Sequence, residues 1–200
     1  AEAGLECIMP DLRAHGQSAA PHDPADYPAD VLVKDALTLV SALELTDYDL
    51  VGFSLGARTA LGAVLAGLTP RRLVLGGMGL EGLTGWARRS AHFVDAIDRF
   101  GTIERGDPAF IAQAFMKTMQ VDRVAARQLL LSVQDIAPEA VARVTMPTLV
   151  VCGADDSDNG SATALADALP DGRYAEVPGN HMSSVTKPEF GAAIVRFLAG

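Results

Sequence analysis

The stretch Asp49-Leu50-Val51-Gly52-Phe53-Ser54-Leu55-Gly56 decides how this sequence folds. A short apolar run leads into the pattern Gly-x-Ser-x-Gly, and residues 57–66 then follow with a helical pattern. Strand, motif and helix in this order predict a tight turn that presents the hydroxyl of Ser54. We expect Gly52 and Gly56 to remove the clashes that side chains would cause at such a turn. The alternative is an ordinary turn with no catalytic role, in a chain rich in small residues.

The composition of the 200 residues limits the classes of protein to consider. The length fits one domain with its own core. Apolar residues make up 49% of the chain, but no run of eighteen or more is free of charge, so we predict no membrane span. The formal net charge of −9 argues against a nucleic-acid partner. Without a signal-peptide pattern, we expect a cytoplasmic protein.

Five runs of sequence predict strands. Four of them are nearly continuous apolar segments, as expected for parallel strands buried on both faces of a sheet, and the fifth is weaker. They cover residues 5–9, 50–53, 73–75, 148–152 and, for the weaker one, 173–177. Cys7 and Cys152 lie inside two of these runs, so we predict two buried free thiols rather than a disulfide framework.

Helical patterns alternate with these runs. Apolar residues recur at helical spacing after Asp30, after Ser54, after Ser161 and from Phe190 onward. Strands that alternate with helices predict the α/β class, with a mostly parallel sheet covered by helices on both faces.

The stretch 80–144 interrupts this alternation. It contains at least three helical patterns and no good strand, so we predict a helical lid inserted into a core formed by residues 1–79 and 145–200. An aromatic stripe within it has two readings, an acyl pocket or simply the core of the lid itself. Its members are Phe93, Phe100, Phe110 and Phe115.

Two further loops carry groups that could activate Ser54. A serine hydroxyl needs a base to take its proton, and the base needs a carboxylate to hold its tautomer. Asp155, Asp156 and Asp158 follow the run at 148–152, and His181 follows the run at 173–177. Because loops at the carboxyl ends of parallel strands meet around one crevice, we expect these residues to approach Ser54. By itself, a loop histidine is more often a solvated surface residue.

Taken together, four segments resemble the small lipase, esterase and lactonase branch of the α/β-hydrolase superfamily. Residues 10–18 are similar to its Asp-x-Arg-Gly-x-Gly-x-Ser loop, with Ala14 where the family has glycine. Residues 52–56 match its nucleophile elbow, residues 147–156 its strand with Gly-x-x-Asp, and residues 179–181 its histidine loop. The four motifs occur in the family's order and span nearly the whole chain.

The resemblance implies a role for each matching residue. Ser54 is the expected nucleophile, His181 the base and Asp156 the carboxylate, with Asp155 and Asp158 as fallbacks. The backbone N–H of Leu55 is the expected oxyanion donor. Glu81 is an alternative carboxylate, although we favour its reading as a surface residue at the hinge of the lid.

The resemblance also implies an activity. Members that attack an alkyl carbon, such as haloalkane dehalogenases and epoxide hydrolases, use an aspartate nucleophile, whereas a serine implies acyl chemistry. We expect hydrolysis of a small acyl compound, a carboxylic ester, thioester or lactone, through an acyl-enzyme and with no metal or organic cofactor. Two alternatives stay open: acyl transfer or cofactor-free perhydrolysis, and a non-catalytic ligand-binding protein of the same fold. Oligomeric state is not predicted.

The family's other oxyanion donor comes from a loop upstream of the segment at 10–18. Its strand lies between the two runs that we place at 5–9 and 50–53. We therefore expect a chain that lacks the family's N-terminal strands, with activity about a hundred- to a thousandfold lower than with both donors.

A calcium loop is a competing reading of residues 155–160. Its third position would be Ser157 and its twelfth Ala166, where a bidentate glutamate is needed, so we predict no calcium site.

Overall fold

The computed structural model describes residues 4–200 and places four parallel strands in one sheet. The strands lie side by side in chain order as β1 (Leu50–Phe53), β2 (Leu73–Gly76), β3 (Thr148–Gly153) and β4 (Gly172–Val177). Leu50 pairs with Leu73, Leu73 with Thr148 and Thr148 with Gly172, so every carboxyl end lies at the same edge. This confirms four of the five predicted strands, including the weaker one.

Eight α-helices occur in the described part of the chain, with short 3₁₀ turns at 24–26, 80–83 and 138–143. The helices are α1 (Val31–Ala42), α2 (Leu55–Leu65), α3 (Trp86–Asp98), α4 (Phe110–Thr118), α5 (Arg123–Ser132), α6 (Ala162–Ala168), α7 (His181–Ser184) and α8 (Pro188–Ala199). Among residues 4–200, none of these helices combines the length and the apolar character that crossing a membrane would require.

The two faces of the sheet bury separate apolar clusters. Along β3, Val150 and Cys152 pack on one face with α2 and α6. Leu149 and Val151 pack on the other face with α8. β2 and β3 are buried along their whole length, which explains why their sequences are continuously apolar. The predicted α/β architecture, with helices on both faces of a parallel sheet, is confirmed.

The segment at 5–9 does not form the predicted strand. Residues 5–10 have no regular secondary structure, and the side chains of Ile8 and Met9 are 54% and 87% exposed. A strand needs a hydrogen-bonded neighbour and apolar cover, and this run lacks that cover. Cys7 is exposed for the same reason, so the prediction that it is buried is wrong, whereas Cys152 is buried and both thiols are free.

The chain divides into two compact units. One comprises Ala1–Leu32 and Gly85–Gln134, and the other comprises Val33–Thr84 and Asp135–Gly200. The second unit contains the whole sheet. Residues 80–144, all of them described, contain helices and no strand. The role of this stretch as a lid stays a prediction.

Helices α3 and α4 of the first unit share a small apolar core. It contains Ala96, Ile103, Ala109, Ala112 and Met116. Phe100 and Phe110 pack against this core, while Phe93 and Phe115 are half exposed. Only two of the four aromatic residues in the stripe therefore pack on the core of the unit, so the stripe is not buried as a whole.

Asp122 begins α5 as a helix cap in the first unit. Its carboxylate accepts hydrogen bonds from the N–H groups of Val124 and Ala125, as expected of an aspartate at the N-cap position. His22 Nε2 lies 2.8 Å from the other carboxylate oxygen. These contacts lower the pKa of Asp122, first through the His22 hydrogen bond and then through the bond from the Ala125 N–H.

Arg58, on α2, contacts the two points in the second unit at which the chain leaves for the helical stretch and returns from it. Its buried guanidinium donates to the carbonyls of Gly82 (2.6 Å) and Leu83 (3.0 Å) and lies 3.6 Å from the carboxylate of Asp135. The Ile136 N–H also donates to the Leu83 carbonyl at 2.8 Å. One buried cation therefore fixes both ends of the excursion.

Candidate active site

Ser54 stands on the sharp turn between β1 and α2. Its backbone has φ 53° and ψ −114°, which is a strained conformation for any residue with a side chain. The Ser54 N–H donates to the Gly76 carbonyl at the end of β2, and the Ser54 carbonyl accepts from the Arg58 N–H in the first turn of α2. Backbone hydrogen bonds on both sides therefore hold the serine in this conformation.

The two glycines of the motif are not equivalent. A Cβ on Gly52 would overlap the Gly56 carbonyl and lie 2.6 Å from the Ala57 nitrogen, so the turn requires glycine there. A Cβ on Gly56 would meet no heavy atom within 4 Å in the described chain beyond the adjoining residues and its own helix. The prediction that both glycines relieve clashes is thus confirmed for Gly52 and wrong for Gly56, because Gly52 lies against the first turn of α2, whereas Gly56 lies within that helix and has open space beside it.

The loops that follow β3 and β4 approach each other closely. A Cβ on Gly153 would overlap the Gly179 carbonyl, so glycine permits this approach. The Asp155 N–H donates to the same Gly179 carbonyl at 3.1 Å. Asn180 caps α7 through reciprocal hydrogen bonds with Ser183, and His181 is the first residue of that helix. The histidine side chain is therefore positioned by a capped turn.

Three side chains separated in sequence form one hydrogen-bonded chain. Ser54 Oγ lies 2.9 Å from His181 Nε2, and His181 Nδ1 lies 2.9 Å from Asp156 Oδ2. A carboxylate only accepts hydrogen bonds, so Nδ1 carries the hydrogen and Nε2 is left to accept from the Ser54 hydroxyl. The Asp156 side chain is 1% exposed and that of His181 is 13% exposed. In this arrangement the imidazole can take the serine proton while the buried carboxylate stabilises the resulting charge.

Neighbouring groups fix Asp156 and His181. The Asp158 N–H donates to Asp156 Oδ1 at 3.1 Å, and Cys152 Sγ lies 3.4 Å from Asp156 Oδ2. Burial, and then the charge of Asp156, raises the pKa of Cys152 to about 12. The ring of Phe53 lies 4.9 Å from the imidazole of His181, centroid to centroid. The imidazole therefore has an aromatic neighbour as well as its two polar partners.

The other carboxylates considered from the sequence have different partners. Asp155 and Asp158 are exposed, and it is Asp156 whose carboxylate reaches His181. Glu81 Oε2 accepts from the Ser161 N–H at 2.7 Å, and this bond lowers the pKa of Glu81. Glu81 thus secures the start of α6 rather than contacting the imidazole.

Ligand atoms of Asp156, Asp158 and His181 lie within 4.8 Å of one another, which is close enough to share a cation. However, both ring nitrogens of His181 are already hydrogen-bonded, to Ser54 and to Asp156. The set therefore fits a proton-transfer chain better than a metal site, since a metal ligand needs a free ring nitrogen. Ala166, the twelfth position of the calcium-loop reading, is buried in α6.

Two contributors near the site were missed from the sequence. Asn159 is buried, and its side-chain amide donates to the Gly77 carbonyl just after β2 at 2.6 Å, which ties the acidic loop to the strand beside Ser54. For Cys152, the sequence predicts a buried free thiol but no contact with Asp156. In Asp158-Asn159-Gly160 the sequence pattern indicates an ordinary turn, so nothing in it signalled a buried amide.

The parallel sheet with helices on both faces is the fold of an alpha/beta hydrolase. A profile of the alpha/beta hydrolase family matches residues 1–194, so the chain belongs to that family. Among curated proteins, no sequence matches this chain.

Solved structures agree with the family. A hydrolase from Pseudomonas aeruginosa PA01 is 26% identical, with 95% of this chain and 78% of that chain covered at a TM-score of 0.73. An esterase (EaEST) from Exiguobacterium antarcticum is 19% identical over 95% of this chain and 80% of its own, at 0.73. The enol-lactonase from Burkholderia xenovorans LB400 is 22% identical over 95% and 79%, at 0.71. The last two likenesses concern the fold alone.

Proposed function

We propose that this protein is a serine hydrolase that cleaves a small acyl compound, a carboxylic ester, thioester or lactone, through an acyl-enzyme. The observation that carries the proposal is the continuous chain of two 2.9 Å contacts from the Ser54 hydroxyl through His181 to the buried Asp156. The similarity to a named esterase and a named enol-lactonase is consistent with this choice of substrates.

The reaction follows from the positions of these groups. Ser54 Oγ attacks the carbonyl carbon while its proton passes to His181 Nε2, and the carbonyl π electrons move onto the oxygen. When the tetrahedral intermediate collapses, the bond to the leaving group breaks and the leaving group takes the proton from Nε2. Water then repeats the sequence on acyl-Ser54, and His181 first accepts and then returns the proton. Asp156 keeps its charge throughout and stabilises the imidazolium.

Leu55 supplies the proposed oxyanion donor. It is the first residue of α2, directly after the serine, and the N–H groups of the first helical turn lack acceptors within the helix. Such an N–H can bind the negative oxygen where the charge develops, and one donor of this kind is worth about a hundred- to a thousandfold in rate.

The setting of the proposed reaction is the cytoplasm. Both cysteines are free thiols, which fits a reducing compartment, and the net charge of −9 disfavours a polyanionic partner. The substrate we propose is a small molecule.

Active-site labelling tests the proposal. The chain is incubated with a fluorophosphonate, and the adduct is mapped by mass spectrometry. We expect modification at Ser54 in the wild type, and none there in S54A. We also expect p-nitrophenyl acetate turnover to fall by at least about 10⁴-fold in S54A and by about 10⁴-fold in D156N, in which the histidine tautomer is no longer held.

Two outcomes would count against this function. Turnover that survives in folded S54A would exclude Ser54 as the nucleophile. A folded wild-type protein that binds acyl compounds without labelling or turnover would favour the non-catalytic alternative. Product analysis with added alcohol separates acyl transfer from hydrolysis, since transfer yields the new ester in place of the free acid.

A further inference from the structure

Cys152 lies at the carboxyl end of β3, next to the carboxylate of Asp156. Its Sγ is 3.4 Å from Asp156 Oδ2, the same oxygen that accepts from His181 Nδ1 at 2.9 Å. Cys152 is 3% exposed and the Asp156 side chain 1%, so water does not compete for this contact. The other oxygen, Oδ1, accepts from the Asp158 N–H. Oδ2 is therefore shared between the imidazole and the thiol.

The direction of this hydrogen bond follows from the chemistry of the two groups. Because burial and the adjacent charge of Asp156 raise the pKa of Cys152 to about 12, the thiol keeps its hydrogen at neutral pH. A carboxylate has no hydrogen to give, so the S–H donates and Oδ2 accepts. Asp158 on the same loop and Tyr174 on β4 are titratable groups that also interact electrostatically with this thiol.

We propose that Cys152 is a positioning residue of the His181–Asp156 pair, whose S–H holds Asp156 Oδ2 and weakens the attraction of that oxygen for the imidazole. The proposal rests on the function proposed above. Two donor hydrogens at one oxygen carry positive partial charges that repel each other, so each is held less strongly than it would be alone. Removal of the thiol hydrogen should leave Oδ2 to His181 alone and favour the imidazolium, because a hydrogen bond to a charged group shifts a titration in favour of that charge.

The test is a pH titration of the full chain in which NMR monitors the signal of the His181 imidazole. C152V and C152A remove the donor, C152S keeps an O–H donor, and loss of the signal in H181Q assigns it among the four histidines. We expect the midpoint to rise by about 0.3–0.5 pH unit in C152V and C152A, the size that a weak buried hydrogen bond supports. In C152S we expect it to stay at or below the wild-type value.

Two patterns would overturn the proposal. Equal midpoints in all four proteins would show that the thiol does not act on the pair. An equal rise in C152S and C152V would attribute the change to packing instead of the donor. If valine prevents folding, C152A and C152S still make the comparison.

This readout does not depend on turnover. Missing fluorophosphonate labelling at Ser54 in the wild type would refute the proposed function, while the His181 titration would still report on Cys152. In an active enzyme, the acid limb of kcat/KM should move with the NMR midpoint.

Discussion

The strained backbone of Ser54 predicts that glycine at this position makes the protein more stable than alanine does. At φ 53° and ψ −114° a Cβ is disfavoured, and residues in such conformations cost about 1–3 kcal/mol. Glycine removes that cost, but it increases the entropy of the unfolded chain by the equivalent of about 0.5–1 kcal/mol relative to alanine. S54G should therefore be more stable than S54A by about 1 kcal/mol, the difference between the midpoints of these two ranges.

S54A is the appropriate reference because both variants lose the hydroxyl and its contact with His181. Urea unfolding followed by far-UV circular dichroism measures the difference, and thermal unfolding should show a rise in Tm of about 2–4 °C for each kcal/mol. A matched pair at the exposed Ser41 in α1 serves as the control. There the order should reverse, with S41G less stable than S41A by about 0.5–1 kcal/mol.

The reasoning fails if S54G is no more stable than S54A while the Ser41 pair behaves as expected. That result would mean that the turn imposes no net strain on the residue that it presents. Neither Ser54 variant should turn over ester, so the gain in stability would come with the loss of the proposed reaction.

Two further predictions concern the thiols and the cap of α5. Iodoacetamide at pH 8 should alkylate the exposed Cys7 and spare Cys152 in the native protein, since burial raises the pKa of Cys152 to about 12; equal labelling of both in peptide mapping would contradict this. D122A should lower stability by about 1 kcal/mol through loss of the helix cap, whereas D122N should retain most of the cap. Because the folded-state pKa of Asp122 is lowered, its stabilising effect is present above the unfolded-state pKa and is lost as pH falls through the folded-state value. D122N should lack this acid-induced loss in urea titrations between pH 6 and about 3, and an identical loss in D122N and wild type would argue against the assignment.

Local patterns in the sequence were enough to predict most of the sheet. The continuously apolar runs that became β2 and β3 are buried on both faces, so their composition reports their position directly. The order of motifs likewise placed Ser54, Asp156 and His181 at one edge of the sheet, where they do meet. Whether a residue follows the carboxyl end of a parallel strand can be predicted from the order of strands and loops along the sequence.

Failures of prediction occurred where a residue's environment depends on distant segments. The run at 5–9 has the composition of a strand, but Ile8 and Met9 are exposed, and Cys7 is exposed with them. Gly52 and Gly56 lie two residues before and two residues after Ser54, yet a Cβ would overlap backbone atoms at Gly52 and would have open space at Gly56. The buried amide of Asn159 reaches Gly77, 82 residues away, and no local pattern encodes such a partner.

The anchor formed by Arg58 has a consequence for the length of the chain that it closes off. The backbone of the second unit is joined between Leu83 and Ile136 by a 2.8 Å hydrogen bond, so everything between them is a closed loop in the polymer sense. The entropy of closing a flexible loop grows only with the logarithm of its length, at about 0.6 kcal/mol for each doubling. For the closure of the second unit, an excursion half or twice as long would therefore change the entropic cost by only about 0.6 kcal/mol, apart from the stability of the helices that the excursion carries.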